Sequence, residues 1–246
     1  MSIDLSIVLP AFDEEERLGG TITRILEYLV ANSVNAELIV VDDGSSDRTA
    51  EVARESAAAF PQIETNVIRY EENRGKGFAV KTGLLAARAD LALFSDADLS
   101  TPIEEMDKLL DPIRRGKYDV TFGSRAIDRS LIGTHQPWRR EQGGKVMNLI
   151  IRTMSGLPFA DTQCGFKAFN LAKFRPLLDK MQIDRFGFDV EFLFVAKYHG
   201  LKLAEIPVRW NDVAGSKVNV FRDTRRMFTE LAQIRRNARH GLYNLK

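Results

Sequence analysis

Strand and helix patterns alternate over the first 125 residues, which predicts an α/β domain with a parallel sheet, right-handed crossovers and helices on both faces. Short apolar runs recur, and the segments between them carry apolar residues at helical spacing. The polar clusters 10–14, 42–45, 73–77 and 96–100 all begin where an apolar run stops or a helix starts. In such sheets that edge, beyond the carboxyl ends of the strands, is where ligands bind.

The elements follow in order. Ile3 to Leu9 reads as a buried strand ending at Pro10, and a helix pattern follows through Leu18, Ile22, Ile25, Leu26 and Leu29. Leu38 to Val41 is a second strand, after which Asp47 can cap a helix running to about Ala59. Val67 to Tyr70, Leu91 to Phe94 and Val120 to Phe122 are further strands. A helix over Gly75 to Ala87 separates the first two, and one opened by Pro102 separates the last two. Residues 126–142 are polar and punctuated by Gly and Pro, as in a mobile loop. Beyond them the pattern gives a helix near 145–155, a turn at 157–163, a helix near 188–199, a strand near 202–206 and a final amphipathic helix. The expected organisation is a catalytic domain over 1–215 and a basic amphipathic helix and tail over 216–246.

The formal net charge of +1 carries no nucleic-acid signature. Charge is nevertheless unevenly spread. Residues 1–60 hold 12 Asp and Glu against 4 Lys and Arg, and residues 215–246 hold 8 Lys and Arg against 2 acids. The basic end suits an anionic partner such as a membrane surface, or is simply a solvated helix face. A single cysteine, Cys164, excludes an intramolecular disulfide and a thiolate metal cluster, and fits a reducing compartment. No signal-peptide pattern and no run of about 18 apolar residues is present, so the expected location is cytoplasmic, soluble or peripheral at a membrane face.

Three motifs carry chemistry. Asp96-Ala97-Asp98 follows an apolar strand, and carboxylates at this spacing can both approach one hard cation, Mg²⁺ or Mn²⁺, whose shell is completed by water and phosphate oxygens. The bland alternative is a solvated turn. Asp42 and Asp43 end a strand as charged acceptors for base N–H groups or ribose hydroxyls, or serve as ordinary caps. Glu72-Asn73-Arg74-Gly75-Lys76-Gly77 places glycines and cations at a helix start, where exposed N–H groups suit an anion.

Together LPAFDEEE, VVDDGSSD, ENRGKG and SDADLSTP resemble the family 2 inverting glycosyltransferases of the GT-A fold. In the second half, GSRAI, PWRR, DTQCGFKAF, FGFDVEFLF, EIPVRW and GSKV resemble the dolichyl- and polyprenyl-phosphate hexosyltransferases, especially the dolichyl-phosphate glucosyltransferase branch. The likeness spans residues 3–240. It implies a mostly parallel GT-A sheet and transfer of a hexose, glucose from UDP-glucose in the first instance, from a nucleoside diphosphate sugar to a lipid phosphate. Carried over by motif, Pro10, Phe12, Glu14, Asp42 and Asp43 would hold the nucleoside, and Gly75 and Lys76 would sit near base and ribose. Asp96, Ala97 and Asp98 would meet ribose, metal and diphosphate. Arg125, Arg140 and Lys217 would meet the acceptor phosphate or the diphosphate, and 161–165 would wall the sugar pocket. Ser100 and Gly144 stand where mannosyl members tend to have Gln and Ser, which sets the chain apart from a mannosyl-type metal shell.

Positive charge develops on the sugar and negative charge on the leaving diphosphate, which a divalent ion and Lys or Arg donors stabilise. A phosphate monoester, with a second pKa of about 6, is already largely dianionic at neutral pH and needs little help from a base. For a hydroxyl acceptor the base would be Asp189 or Glu191. At i and i+2 on a helix these face different ways, with Asp189 expected near the acceptor and Glu191 orienting basic residues. Competing expectations are a hydroxyl acceptor or a GDP-mannose donor, a metal-dependent nucleotidyltransferase, and a membrane adaptor without activity.

Overall fold

The computed structural model describes residues 3–134, 138–213 and 220–245, the side chains of 138–140, 145 and 220–225 excepted. Seven strands form one sheet. In chain order they are β1 (Leu5–Ala11), β2 (Ala36–Asp42), β3 (Glu64–Arg69), β4 (Leu91–Ser95), β5 (Val120–Ser124), β7 (Phe166–Asn170) and β8 (Leu203–Pro207). Two short strands, β6 (Ile132–Thr134) and β9 (Trp210–Asn211), pair in parallel outside it. The sheet order is β3-β2-β1-β4-β7-β5-β8. All its pairings are parallel except those of β7, which runs antiparallel to β4 and to β5.

The helices are α1 (Leu18–Ala31), α2 (Thr49–Ala58), α3 (Lys76–Ala86), α4 (Met106–Arg114), α5 (Trp138–Ser155), α6 (Leu171–Leu178), α7 (Phe188–Tyr198) and α8 (Val220–Arg239). Every residue of β1 and of β2 is buried, as expected of central strands covered on both faces. The side-chain period of two divides them between two cores. Val8, Ile39, Val41, Phe94 and Phe122 pack with α3, α6, α7 and α8. Ile7, Leu9, Leu38, Val40 and Leu93 pack with α1 and α4.

The first half follows the sequence expectation closely. Asp47 Oδ1 accepts the Thr49 N–H at 3.0 Å and so holds the first residue of α2, although the capping position itself is Arg48, whose side chain makes no cap bond. Pro102 precedes a single 3₁₀ turn, Ile103–Glu105, which leads into α4. The second half differs at β9, which the sequence did not announce, and in three larger places. The segment expected as a loop over 126–142 contains a 3₁₀ turn capped by Asp128, then β6, and from Trp138 onward it is already α5. Gly143 and Gly144 each weaken helix propensity by about 1 kcal/mol, which hides the helix in the sequence. An ion pair of 2.5 Å between Arg129 and Glu141 ties the 3₁₀ turn to it. The second difference is β7 and the third is α6, both between the turn at 157–163 and α7.

In the segment expected as a tail, Met227, Leu231, Ile234 and Tyr243 are buried in the same core as α7. Most of the described apolar stripe of α8 therefore faces the protein, and Phe228, 39% exposed, faces outward beside the exposed Arg226, Arg235, Arg236 and Arg239. Among the described residues no helix is long and apolar enough to cross a membrane.

Candidate active site

The loops after β1 and β2 are latched together by the acids of the first motif. Asp13 Oδ1 accepts the Ser46 N–H at 2.8 Å, Ser45 Oγ accepts the Asp13 N–H at 2.9 Å, and Glu15 Oε2 accepts the Arg48 N–H at 2.9 Å. Pro10 lies in β1 opposite Val41, and Phe12 is 38% exposed at the rim. Glu14 is turned toward Arg17, whose Nε and Nη2 donate to its carboxylate.

Asp42 is fully buried, accepts the Ser45 N–H at 2.9 Å, and has Arg69 Nε 3.4 Å from its other oxygen. Asp43 organises the β3–α3 loop. Its Oδ1 accepts the Arg74 N–H at 2.9 Å, and its Oδ2 accepts the Gly75 N–H at 2.8 Å and the Asn73 amide at 2.9 Å. Burial raises its pKa against the lowering effect of these donors. Gly75 has φ 113°, which L side chains rarely adopt, and any Cβ there would also strike the Asp184 carbonyl. That conformation starts α3 and sends Lys76 across to β4.

At the end of β4 the charged groups converge. Lys76 Nζ lies 2.5 Å from Asp96 Oδ1. Burial opposes the charge of Lys76, but Asp96, then Asp189 and Asp98, outweigh it and raise its pKa. The 96–99 turn is held by the Asp96 N–H donating to Gly165 O at 2.9 Å, by Thr21 Oγ1 donating to Ala97 O at 2.6 Å, and by Ser100 N–H donating to Asp98 Oδ1 at 2.9 Å. The 161–165 turn is thereby brought against Asp96, and at Gly165 a Cβ would run into that carboxylate.

Asp96 Oδ1 is buried without a well-directed hydrogen bond, and the donors at hand are hard carboxylate oxygens, a set that suits Mg²⁺ or Mn²⁺. Among the described residues no group of three or more His, Cys, Asp and Glu can hold an ion. Asp96 and Asp98 would thus supply two ligands, with the others coming from water and substrate oxygens, which is how Mg²⁺ is commonly bound.

Two further ion pairs flank this centre. Arg125, just beyond β5, is locked onto Asp161 by Nε at 2.6 Å and Nη2 at 2.8 Å, with its guanidinium 5.5 Å from the Trp210 ring. Burial opposes both charges, but each partner outweighs it, so the Asp161 carboxyl lies below the usual carboxylate range and Arg125 above its own. The 160–161 backbone is fixed in turn by Glu205 of β8, which accepts its N–H groups at 2.8 and 2.7 Å. The second pair joins Lys167 Nζ and Asp189 Oδ1 at 2.5 Å, and Lys167 also donates to Cys164 O at 2.6 Å. The Phe94 ring lies between the lysines, 5.6 Å from Lys76 Nζ and 5.8 Å from Lys167 Nζ.

Asp189 therefore stands beside the charged centre, while Glu191 does not. Glu191 is fully buried and accepts the N–H groups of Gln182 and Ile183 and the Tyr243 hydroxyl at 2.7 Å, so it orients backbone and a tyrosine rather than basic side chains. Lys217 lies outside the described residues, and so does the side chain of Arg140. Sequence reasoning missed Lys167, Asp161 as the partner of Arg125, and Glu230 of α8, which accepts the Gly187 N–H at 2.8 Å and seats the turn before Asp189.

Residues 6–177 match the profile of Glycosyl transferase family 2. The chain belongs to that family. Like other members it is a glycosyltransferase, and its sheet is of the GT-A type. It is 34% identical to dolichyl-phosphate beta-glucosyltransferase of Drosophila melanogaster, over 89% of this chain and 71% of that one. With the Homo sapiens protein of the same name it shares 31% identity, over 98% and 78%. Among solved structures, glucosyl-3-phosphoglycerate synthase of M. tuberculosis, in complex with Mn²⁺, UDP-glucose and glycerol 3-phosphate, superposes with a TM-score of 0.68 at 20% identity, covering 94% of this chain and 80% of that one. Mannosyl-3-phosphoglycerate synthase of Rubrobacter xylanophilus gives 0.69 at 20%, covering 99% and 76%. At that identity the two structures speak for the fold.

Proposed function

We propose that this family 2 glycosyltransferase moves glucose from UDP-glucose to a polyprenyl or dolichyl phosphate with inversion at the anomeric carbon. The names of its relatives support the donor and acceptor class. The geometric observation that carries the reading is the commitment of Asp189 Oδ1 to Lys167. Oδ1 of that acid, placed beside the site, is taken up by a buried ammonium rather than presented to an acceptor hydroxyl. That arrangement suits an acceptor that arrives already ionised, as a phosphate monoester does.

In this reading a phosphate oxygen of the lipid attacks the anomeric carbon from the face opposite the leaving group. The bond between that carbon and the donor's phosphate oxygen breaks, and UDP departs with the electron pair. Asp96 and Asp98 would hold a divalent ion, which would supply charge stabilisation for the diphosphate. Lys76 adds a cation at the start of α3, and the Asp43-ordered loop shapes the nucleoside end. Arg125, fixed by Asp161, lends positive potential beside the sugar pocket, and Arg140 and Lys217 are assigned to the phosphates. The exposed arginines of α8, with Phe228, would meet an anionic bilayer surface where the acceptor resides.

The test is a donor screen against a short-chain polyprenyl phosphate, with Mn²⁺ or Mg²⁺ and with EDTA. Release of UDP and formation of a glucosyl lipid phosphate, abolished by EDTA, is the expected result. Release of pyrophosphate would mean a nucleotidyltransferase. Preference for GDP-mannose, or transfer to a hydroxyl in place of phosphate, would overturn the assignment of donor or acceptor.

A further inference from the structure

Lys76 makes a contact that α3 does not need for its own stability. Its side chain leaves the first position of the helix and places Nζ 2.5 Å from Asp96 Oδ1. That oxygen is one of the two carboxylate positions assigned above to a divalent ion. A Mg²⁺ ion bound to it would sit about 2.1 Å away. An ammonium and a divalent ion on the same oxygen would then lie a few ångströms apart, in a partly buried setting where water screens their repulsion poorly.

We propose that Lys76 and the divalent ion compete for Asp96, and that the displaced ammonium turns to the diphosphate of the donor. This rests on the donor reading given above. Two features bound the space open to the displaced ammonium. Asp189 lies near enough for its charge to reach Lys76, and the fully buried Lys167 holds it in place. The Phe94 ring, 5.6 Å from Nζ, provides an apolar wall along which the side chain can swing. Lys76 is thus a positioning residue with opposite effects on two ligands. It weakens binding of the metal alone and strengthens binding of the nucleotide alone. Donor and metal together then satisfy all three groups, which favours their binding as a unit.

The experiment measures two affinities separately on the full chain. Mn²⁺ binding without nucleotide is followed by the electron paramagnetic resonance of free Mn²⁺, and UDP binding in EDTA by calorimetry. Lys76→Met is expected to bind Mn²⁺ at least tenfold more tightly than the wild type and UDP at least fivefold more weakly. Lys81→Met removes the same charge about one and a half helical turns away, from a side chain that donates to Met181 O, and is expected to change Mn²⁺ affinity less than threefold. Lys76→Arg, which keeps the cation, should stay close to the wild type for both ligands. Denaturant unfolding establishes that each variant is folded before its affinities are compared. Mn²⁺ affinity that is unchanged or lower in Lys76→Met, or an equal gain in Lys81→Met, overturns the competition, and unchanged UDP affinity overturns the hand-over to the diphosphate. A wild type that binds Mn²⁺ but no UDP defeats the donor reading instead, while the Mn²⁺ comparison still decides the competition.

Discussion

Lys167 and Asp189 form an ion pair of 2.5 Å beneath the candidate site, with the lysine side chain fully buried and the aspartate 7% exposed. A buried ammonium in the middle of a sheet is tolerated only with a partner. The pair accordingly decides what substitutions at Asp189 can reveal.

Asp189→Asn leaves Lys167 with Cys164 O as its remaining described partner, and is expected to cost about 3 kcal/mol of stability. Lys167→Met combined with Asp189→Asn should recover most of that loss, because no charge is left buried. Denaturant unfolding of both variants measures this. If the acceptor is a phosphate, the double variant, assayed where it is folded, should retain turnover within about a hundredfold of the wild type, the lower end of what a general base contributes. Complete loss of chemistry in a folded double variant would point to a proton-abstracting role.

Gly165→Ala should act on the site rather than on the fold. The added Cβ meets the Asp96 carboxylate, and that side chain is 29% exposed and able to shift. The expected outcome is near-normal unfolding but at least tenfold weaker Mn²⁺ and donor binding. Equal metal affinity in the variant would show that Asp96 need not hold its observed position.

The Arg125–Asp161 pair has a defined pH signature. Because the folded pKa of Asp161 is depressed, its contribution to stability is present above the unfolded value of about 3.9 and is lost as pH falls through the lower folded value. Asp161→Asn should therefore be less stable than the wild type by about 3 kcal/mol at pH 7 and by the same margin at pH 5. The gap should begin to close only below about pH 4. Denaturation curves at pH 7, 5 and 3 measure it, and a gap that narrows between pH 7 and 5 would contradict the pairing.

For the membrane face, Arg235→Gln with Arg236→Gln should leave unfolding unchanged, since both side chains are exposed. It should weaken sedimentation with anionic liposomes at low salt by roughly thirtyfold, at about 1 kcal/mol for each of the two cations near the surface. Unaltered liposome binding would move the docking surface away from α8.

The first half of the fold was legible because its strands are continuous apolar runs and its helices keep their period. The polar clusters could be placed from strand ends alone, and Asp43, Lys76, Asp96 and Asp98 were found there. β7 was not legible because Lys167 interrupts Phe166-Lys167-Ala168-Phe169 at the second position of the strand, and a lysine ordinarily marks an exposed face. The alternation of Phe166 and Ala168 against Phe169 was the available signal. The Arg125–Asp161 and Lys167–Asp189 pairs span 36 and 22 residues, and no local pattern announces contacts of that range. Glu191 resembled a catalytic acid in its motif, and only packing reveals that its oxygens serve the 182–183 backbone and Tyr243.

The reversed strand β7 also governs how the molecule can be assembled. β5 bonds to β7 and β8, both of which are later in the chain, and has no partner among β1 to β4. A fragment ending at Ser124 would hold a four-stranded sheet with one strand stranded beside it, its N–H and C=O groups open to other chains. On the ribosome that strand must wait until residues 166–170 emerge and slide between it and β4, so the last steps of folding are long-range and slow. The same insertion carries Lys167 to its place behind Asp96, which means that the site closes only when the sheet does.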